Sequence, residues 1–289
     1  MQIIKELLII IMNIDDIEYI KENIIRGDTF KGVKTGIRTI DDITGGLSDA
    51  DLILISSRPC MGKTDLVLNL VKEISLNQKK KCVVFDLVSG KKAFIRRLIL
   101  LLSEIGKTEF VDENNQAQMD ALETACQLVS ESPLYVDEAI DYDITNIESK
   151  CRKHYEDNDI GLIVIDINDL RHFRCKDNNG NYIYKNVSNS LVILKLLAKE
   201  LNCPIVITTE LPRSVEVRED KRPYIEDLCY SETYDEYFDK IIFLYRDDYY
   251  FRECKNNNEM EIIVAKNNYG KVGTSIVSYD KEIGIITNL

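Results

Sequence analysis

The chain has 289 residues, 45% of them hydrophobic and 30% charged. That is enough for one large α/β domain, alone or with an extension, and for a core that needs no disulfides. The net charge of −12 argues against a surface coated for nucleic acid, though a local basic loop could still bind it. Eight cysteines without a C-x-x-C pair, and only His154 and His172 as histidines, speak against a zinc site and for a reducing, cytoplasmic compartment.

The apolar run at residues 7–12 is too short to span a bilayer, and no A-x-A-like cleavage site follows it. No membrane association is therefore expected, and Met12 is a second candidate start. Ile14, Ile17, Ile20 and Ile24 or Ile25 form an apolar stripe that predicts a helix over residues 13–26. Such a helix docks on a neighbour or packs on its own domain. Residues 1–30 are read as an extension or linker helix, and residues 31–289 as the folded domain. Residues 32–47 are turn-rich.

Strand and helix patterns alternate from there. Strands are expected at 52–57, 81–87, 134–137, 162–166 and 204–209. Helices are expected from the loop after residue 57 to about 77, then over 90–105, 115–130, 144–156 and 187–201. This rhythm predicts a mainly parallel sheet wrapped by helices on both faces. Four short strands near 241–245, 261–265, 274–278 and 283–287 should extend it at one edge, mainly antiparallel.

Ser57-Arg58-Pro59-Cys60-Met61-Gly62-Lys63-Thr64 is the chemical centre. It joins an apolar strand to a helix, as a phosphate-binding P-loop does. Backbone N–H groups at a helix N-terminus can cradle a polyphosphate. Lys63 would reach the β- and γ-phosphates, and the Thr64 hydroxyl would sit on Mg²⁺. Asp166 closes the apolar strand Leu162-Ile163-Val164-Ile165, where a P-loop ATPase places the acid that orients Mg²⁺. Ser57 departs from G-x-x-x-x-G-K-[ST], which has Gly first.

Further motifs make the resemblance specific. Thr35-Gly36, Thr44-Gly45-Gly46-Leu47, Asp51-Leu52, the P-loop, Leu197-Ala198-Lys199-Glu200-Leu201-Asn202, the stretch LPRSVEVREDKRP at residues 211–223 and Phe243-Leu244-Tyr245-Arg246-Asp247 occur in this order. Over about residues 30–289 the chain resembles the C-terminal, RecA-like ATPase domain of DnaB-type replicative DNA helicases. That family tolerates a small residue such as Ser57 at the first loop position. The resemblance implies a RecA-like P-loop NTPase fold, ATP and Mg²⁺ as ligands, and ATP-driven DNA unwinding by a hexameric ring with ATP between subunits. It also implies that the family's separate N-terminal domain is replaced here by the short segment 1–30. A recombinase-like ATPase on the same fold is disfavoured by the matches at 211–223 and 243–247.

Three departures bear on catalysis. The family's second strand ends Phe-Ser-Leu-Glu-Met, where the Glu polarises the attacking water. Here it reads Phe85-Asp86-Leu87-Val88-Ser89, so Val88 takes the Glu position. Asp86 lies about 6.6 Å further back on the same face: it is a candidate replacement if the loop shifts, and otherwise a solvated or network-bound acid. The family's Lys-x-Arg-x-Gly, which reaches the neighbouring subunit's nucleotide, reads Lys266-Asn267-Asn268-Tyr269-Gly270. Lys266 remains as a nucleotide contact, Asn268 stands at the arginine finger, and Lys271 is a candidate stand-in. Glu210 replaces the Gln of the family's sensor stretch, where a carboxylate facing phosphate would be repelled or need a cation. A general base contributes about 10²–10⁴ in rate and an arginine finger about 10³–10⁵. Nucleotide binding with weakened hydrolysis is the expectation. The alternative is a non-enzymatic, nucleotide-dependent assembly module of a replication complex.

Two loops of the family hold single-stranded DNA. The first corresponds to Arg171, Arg174 and Lys176, followed by Tyr182, Tyr184 and Lys185, with basic and aromatic residues interleaved. The second reads Asp227-Leu228-Cys229-Tyr230-Ser231-Glu232, an acidic stretch that repels phosphate. Single-stranded DNA, further copies of the chain and a replication protein are the candidate partners.

Overall fold

The computed structural model describes residues 32–137, 142–155, 160–176, 182–183, 187–228, 234–251 and 257–289, with Lys21. Apart from Lys21, the helix expected over 13–26 lies outside the described residues. The strands are β1 (Leu52–Ser57), β2 (Lys81–Asp86), β3 (Leu134–Asp137), β4 (Ile160–Asp166), β5 (Cys175–Lys176), β6 (Tyr182–Ile183), β7 (Ile205–Glu210), β8 (Lys240–Tyr245), β9 (Glu259–Asn267), β10 (Gly273–Asp280) and β11 (Ile285–Asn288). The α-helices are α1 (Arg38–Thr44), α2 (Lys63–Val71), α3 (Lys91–Ser103), α4 (Gln116–Glu131), α5 (Ile144–Tyr155), α6 (Val187–Glu200) and α7 (Asp247–Tyr250).

Nine strands form one sheet in the order β11-β10-β9-β8-β1-β7-β4-β2-β3. β8, β1, β7, β4, β2 and β3 run parallel. β9, β10 and β11 add antiparallel ladders at one edge. The strand expected near 241–245 thus belongs to the parallel part, and the antiparallel extension begins one strand later.

The central strands are buried on both faces, which is why they read as unbroken apolar runs. Alternate residues serve two cores. In β1, Ile53 and Ile55 pack with Leu66, Val67 and Leu70 of α2. Leu52 and Leu54 pack on the other face with Leu191 and Leu194 of α6. β4 divides likewise, with Leu162 and Val164 on the first face and Ile163 and Ile165 on the second. Each such side chain contributes about 1.5–3 kcal/mol by leaving water.

The turn-rich reading of residues 32–47 needs a correction. Arg38–Thr44 is a helix, closed by Gly45 in the left-handed region, φ 76°, whose N–H donates to the Asp41 carbonyl. Ile37 and Ile40 bury its inner side, so packing rather than propensity makes this short helix. Helix α2 runs on into a wider π-helical segment, Lys72–Asn77, which an apolar periodicity does not distinguish from α-helix. The polar loop after β4 carries the two-stranded ribbon of β5 and β6. Among the described residues, no helix is long and apolar enough to cross a membrane.

Candidate functional site

β1 ends at Ser57 in the middle of the sheet, and the chain turns over Arg58–Gly62 into α2. Two residues in this turn have positive φ, Cys60 at 64° and Gly62 at 98°. Gly62 lies hard against the layer below. A Cβ there would come 2.4 Å from the Met260 Cε and 3.3 Å from the Tyr279 ring. Met61 points into the core, 1% exposed. The flanks are tied down by two guanidinium groups. Arg58 donates to Glu216 Oε1 at 2.9 Å and to the Leu211 carbonyl at 2.6 Å. Arg246 donates to the Cys60 carbonyl at 3.1 Å. The loop is therefore held open as a cradle at the N-terminus of a nine-residue helix, where the dipole favours an anion. Lys63 Nζ makes only long contacts, 3.4 Å to the Ser57 carbonyl and to its Oγ. Burial draws the Lys63 ammonium below its ordinary value, opposed by Glu210 and Asp166. An anion in the cradle would relieve that cost.

The parallel register sets the neighbours. Glu210 on β7 lies beside Ser57, and Thr208 lies beside Asp166 on β4. Asp86 on β2 is the cross-strand neighbour of Asp166 on its other side. Along the carboxyl ends of the strands the order is Arg246, Ser57, Glu210, Asp166 and Asp86, at the edge where parallel α/β sheets bind ligands. Asp166 is 7% exposed and accepts a hydrogen bond from the Thr208 hydroxyl. Burial pushes its carboxyl above the usual range, Asp86 adds to this, and the Thr208 hydroxyl and Lys63 oppose it.

A cavity of about 570 Å³ opens above these strand ends. Pro59, Cys60, Gly62, Lys63, Thr64, Asp166 and Glu210 line it, so the strand, the loop and the acid meet as their spacing implied. Ser57, Arg58 and Met61 frame the cradle from below. Val88 lines the cavity too and is 45% exposed, so an apolar side chain occupies the expected position of the water-polarising Glu.

Asp86, the candidate replacement, is not brought to the wall. Its Oδ1 accepts the N–H groups of Val88 at 3.0 Å and Ser89 at 2.7 Å, pinning the loop after β2. Its Oδ2 is buried without a hydrogen-bond partner among the described residues. The strand end turns this carboxylate inward as a local cap.

Seven cavity residues escaped the sequence reading as site residues: Asp65, Arg97, Lys107, Asn168, Arg246, Tyr279 and Lys281. Lys107 and Tyr279 both contact Asp65 Oδ2, Lys107 at 2.7 Å. Arg246 and Lys281 share Asp248, at 2.7 and 3.2 Å. Only Arg246 lay in a motif singled out beforehand. The others arrive from α2, α3, the loop before α4, the loop after β4, β10 and the turn after it, with no local signal.

Lys266 and Asn268 do not line the cavity. Lys266 donates to the Asp235 carbonyl at 2.8 Å, and the Asn268 N–H donates to the Asp239 carbonyl at 2.9 Å. In the first basic loop, Arg171 is held by Asp169. The Arg174 backbone pairs with Tyr142 and Ile144, and Lys176 lies in β5. Asp227 of the second loop is clamped by Arg218 at 2.8 Å. Residues 184–186 and 229–233 lie outside the described residues.

A strand, phosphate loop and helix at the centre of a parallel sheet, with an acid two strands away, define a P-loop ATPase domain of RecA-like architecture. Residues 32–288 match the DnaB-like helicase C terminal domain family, and the chain belongs to it. It is 32% identical over 284 residues to the replicative DNA helicase DnaC of Bacillus subtilis, and 31% identical over 284 residues to DnaB of Geobacillus stearothermophilus. Each alignment covers 97% of this chain and 61% of the relative, so the chain spans about three-fifths of the length of these proteins. A solved structure of an isolated ATPase domain superposes with a TM-score of 0.83 at 31% identity, covering 96% of this chain and 99% of that one. A DnaB-like replicative helicase, described with its interactions with primase, gives a TM-score of 0.83 at 31% identity, covering 96% of this chain and 67% of that one.

Proposed function

We propose that this domain binds ATP with Mg²⁺ at the Ser57–Thr64 loop, works in a ring of like subunits, and hydrolyses ATP more slowly than an intact helicase motor. The observation that carries the reading is the juxtaposition of the open cradle, Lys63 and buried Asp166 around one cavity. Thr64 and Asp166 are the groups that would hold Mg²⁺, and the orphan helix N–H groups would hold the phosphates. When bound, the metal supplies charge neutralisation on the phosphate oxygens. Lys266 lies away from this chain's own cavity, as suits a residue that completes the site of an adjacent copy. Val88 and Asn268 supply neither a proton acceptor nor a cation, which is the physical ground for slow turnover.

The same observations favour a second reading. Val88 on the cavity wall and Arg171 held by Asp169 suit a non-enzymatic module that uses nucleotide to assemble and makes little use of DNA. Steady-state ATPase with and without single-stranded DNA, alongside nucleotide titration and light scattering, separates the two. Turnover stimulated by DNA supports the motor. Micromolar ATP binding with oligomerisation and no turnover supports the module. Absence of nucleotide binding would defeat both.

A further inference from the structure

We propose that Glu210 is the residue that activates the attacking water in this chain, taking from the neighbouring strand the role that Val88 cannot perform. The inference rests on ATP binding at the P-loop, as proposed above.

Three carboxylates line the cavity: Asp65, Asp166 and Glu210. Asp65 is occupied, its Oδ2 contacting both Lys107 and the Tyr279 hydroxyl. Asp166 is buried, bonded to Thr208, and is the group placed for the metal. Asp86 is not on the wall and caps the loop after β2. Glu210 remains. Its backbone is fixed, with the N–H donating to the Asn168 carbonyl at 2.9 Å and the Cα in register with Ser57. Its carboxylate makes no hydrogen bond or ion pair among the described residues. It stands between the strand that launches the P-loop and the strand that carries Asp166.

A carboxylate beside a polyphosphate needs compensation, and the wall provides it. Lys63 and Arg97 face the same cavity, and the Arg97 guanidinium has no ion-pair partner among the described residues. Glu210 lines that same cavity wall beside them. Two cations on the wall offset the repulsion between a carboxylate and the phosphates.

The step balances without a further reactant. Glu210 accepts a proton from water as the water oxygen bonds to the γ-phosphorus. The bond from that phosphorus to the bridging oxygen breaks, and its electron pair leaves with ADP. Release of the proton with inorganic phosphate restores the carboxylate.

The experiment compares wild type, Glu210→Gln and the double variant Val88→Glu/Glu210→Gln by titration with a fluorescent ATP analogue and by single-turnover ATP hydrolysis with Mg²⁺. The amide keeps the size of Glu210 and removes its basicity. Glu210→Gln should bind the analogue within about threefold of wild type. Its hydrolysis should fall by roughly 10²–10⁴, the scale of one general base. The double variant, with a carboxylate back on the second strand, should recover hydrolysis. Hydrolysis by Glu210→Gln at or above the wild-type rate overturns the proposal. So does failure of the double variant to recover, and so does a wild type that binds the analogue without hydrolysing ATP. A wild type that binds no nucleotide overturns the reading beneath it as well, and the titration tells these cases apart.

Discussion

The Arg246 guanidinium lies 4.9 Å above the Tyr279 ring while donating to the Cys60 carbonyl at 3.1 Å. One side chain thus joins the end of β8, the antiparallel strand β10 and the P-loop. Its Nε and Nη2 also donate to Asp248, at 2.9 and 2.7 Å. Arg246→Ala removes the tie on the loop and leaves Asp248 with Lys281 alone. Nucleotide affinity should fall roughly tenfold or more, the scale of one charge-assisted hydrogen bond of about 1.5–3 kcal/mol. Titration with a fluorescent ATP analogue checks this, and Arg246→Lys should recover little because it lacks the planar fork.

Gly62 bears two separable constraints. Its φ of 98° disfavours any L side chain, and a Cβ would meet the Met260 Cε at 2.4 Å. Gly62→Ala should cost about 1–2 kcal/mol from backbone conformation alone, with a further penalty from the contact. Met260→Ala in the same chain should relieve only the contact. Thermal melts of the two single variants and the double variant give the partition, as a coupling energy between positions 62 and 260.

Lys240 is fully buried in β8 and pairs with Asp51, which is 2% exposed, while Ser48 Oγ lies 3.1 Å from its Nζ. Lys240→Met would strand a buried carboxylate. The expected cost is about 3–5 kcal/mol, as for other broken buried pairs. Lys240→Met with Asp51→Leu should return most of that loss, because the desolvated charges vanish together. Chemical denaturation of the two variants checks the ordering, and near-equal losses would sink it.

The pH dependence at Asp166 has a definite sign. Its carboxyl lies above the ordinary range chiefly because it is buried. The folded, nucleotide-free protein therefore holds that proton more tightly than the unfolded chain does. The resulting stability is complete below the ordinary carboxylate range and is lost as pH rises through the raised value. Asp166→Asn keeps an acceptor for Thr208 and discards the charge. It should raise the apo melting temperature at neutral pH by a few degrees, where 1 kcal/mol corresponds to roughly 2–4 °C in a domain of this size. In acid the gain should vanish, and at neutral pH Mg²⁺–ATP should no longer raise the melting temperature.

Much of this fold can be read in one dimension. The apolar runs of β1, β4 and β7 are continuous because both faces of the inner sheet are covered. The positions from Ser57 to Thr64 and Asp166 carry their chemistry in spacing and residue type. Helix α1 and the π-helical segment at 72–77 were not legible, because burial of Ile37 and Ile40 and the packing of α2, rather than local pattern, select them.

The linear chain thus specified the phosphate loop and its acid, since each depends on residue identity at a position in a repeating strand–helix pattern. It left Asp86 open between a substitute for the Glu and a solvated or network-bound acid, and the fold holds it in a local network. Asp86 and Glu210 both end strands beside Asp166, but one turns back to cap its own loop and the other faces the cavity. Side-chain direction at a strand end is set by the turn that follows and by the neighbouring strands. Glu210 and Ser57, 153 residues apart in sequence, become neighbours only through the register of β1 against β7.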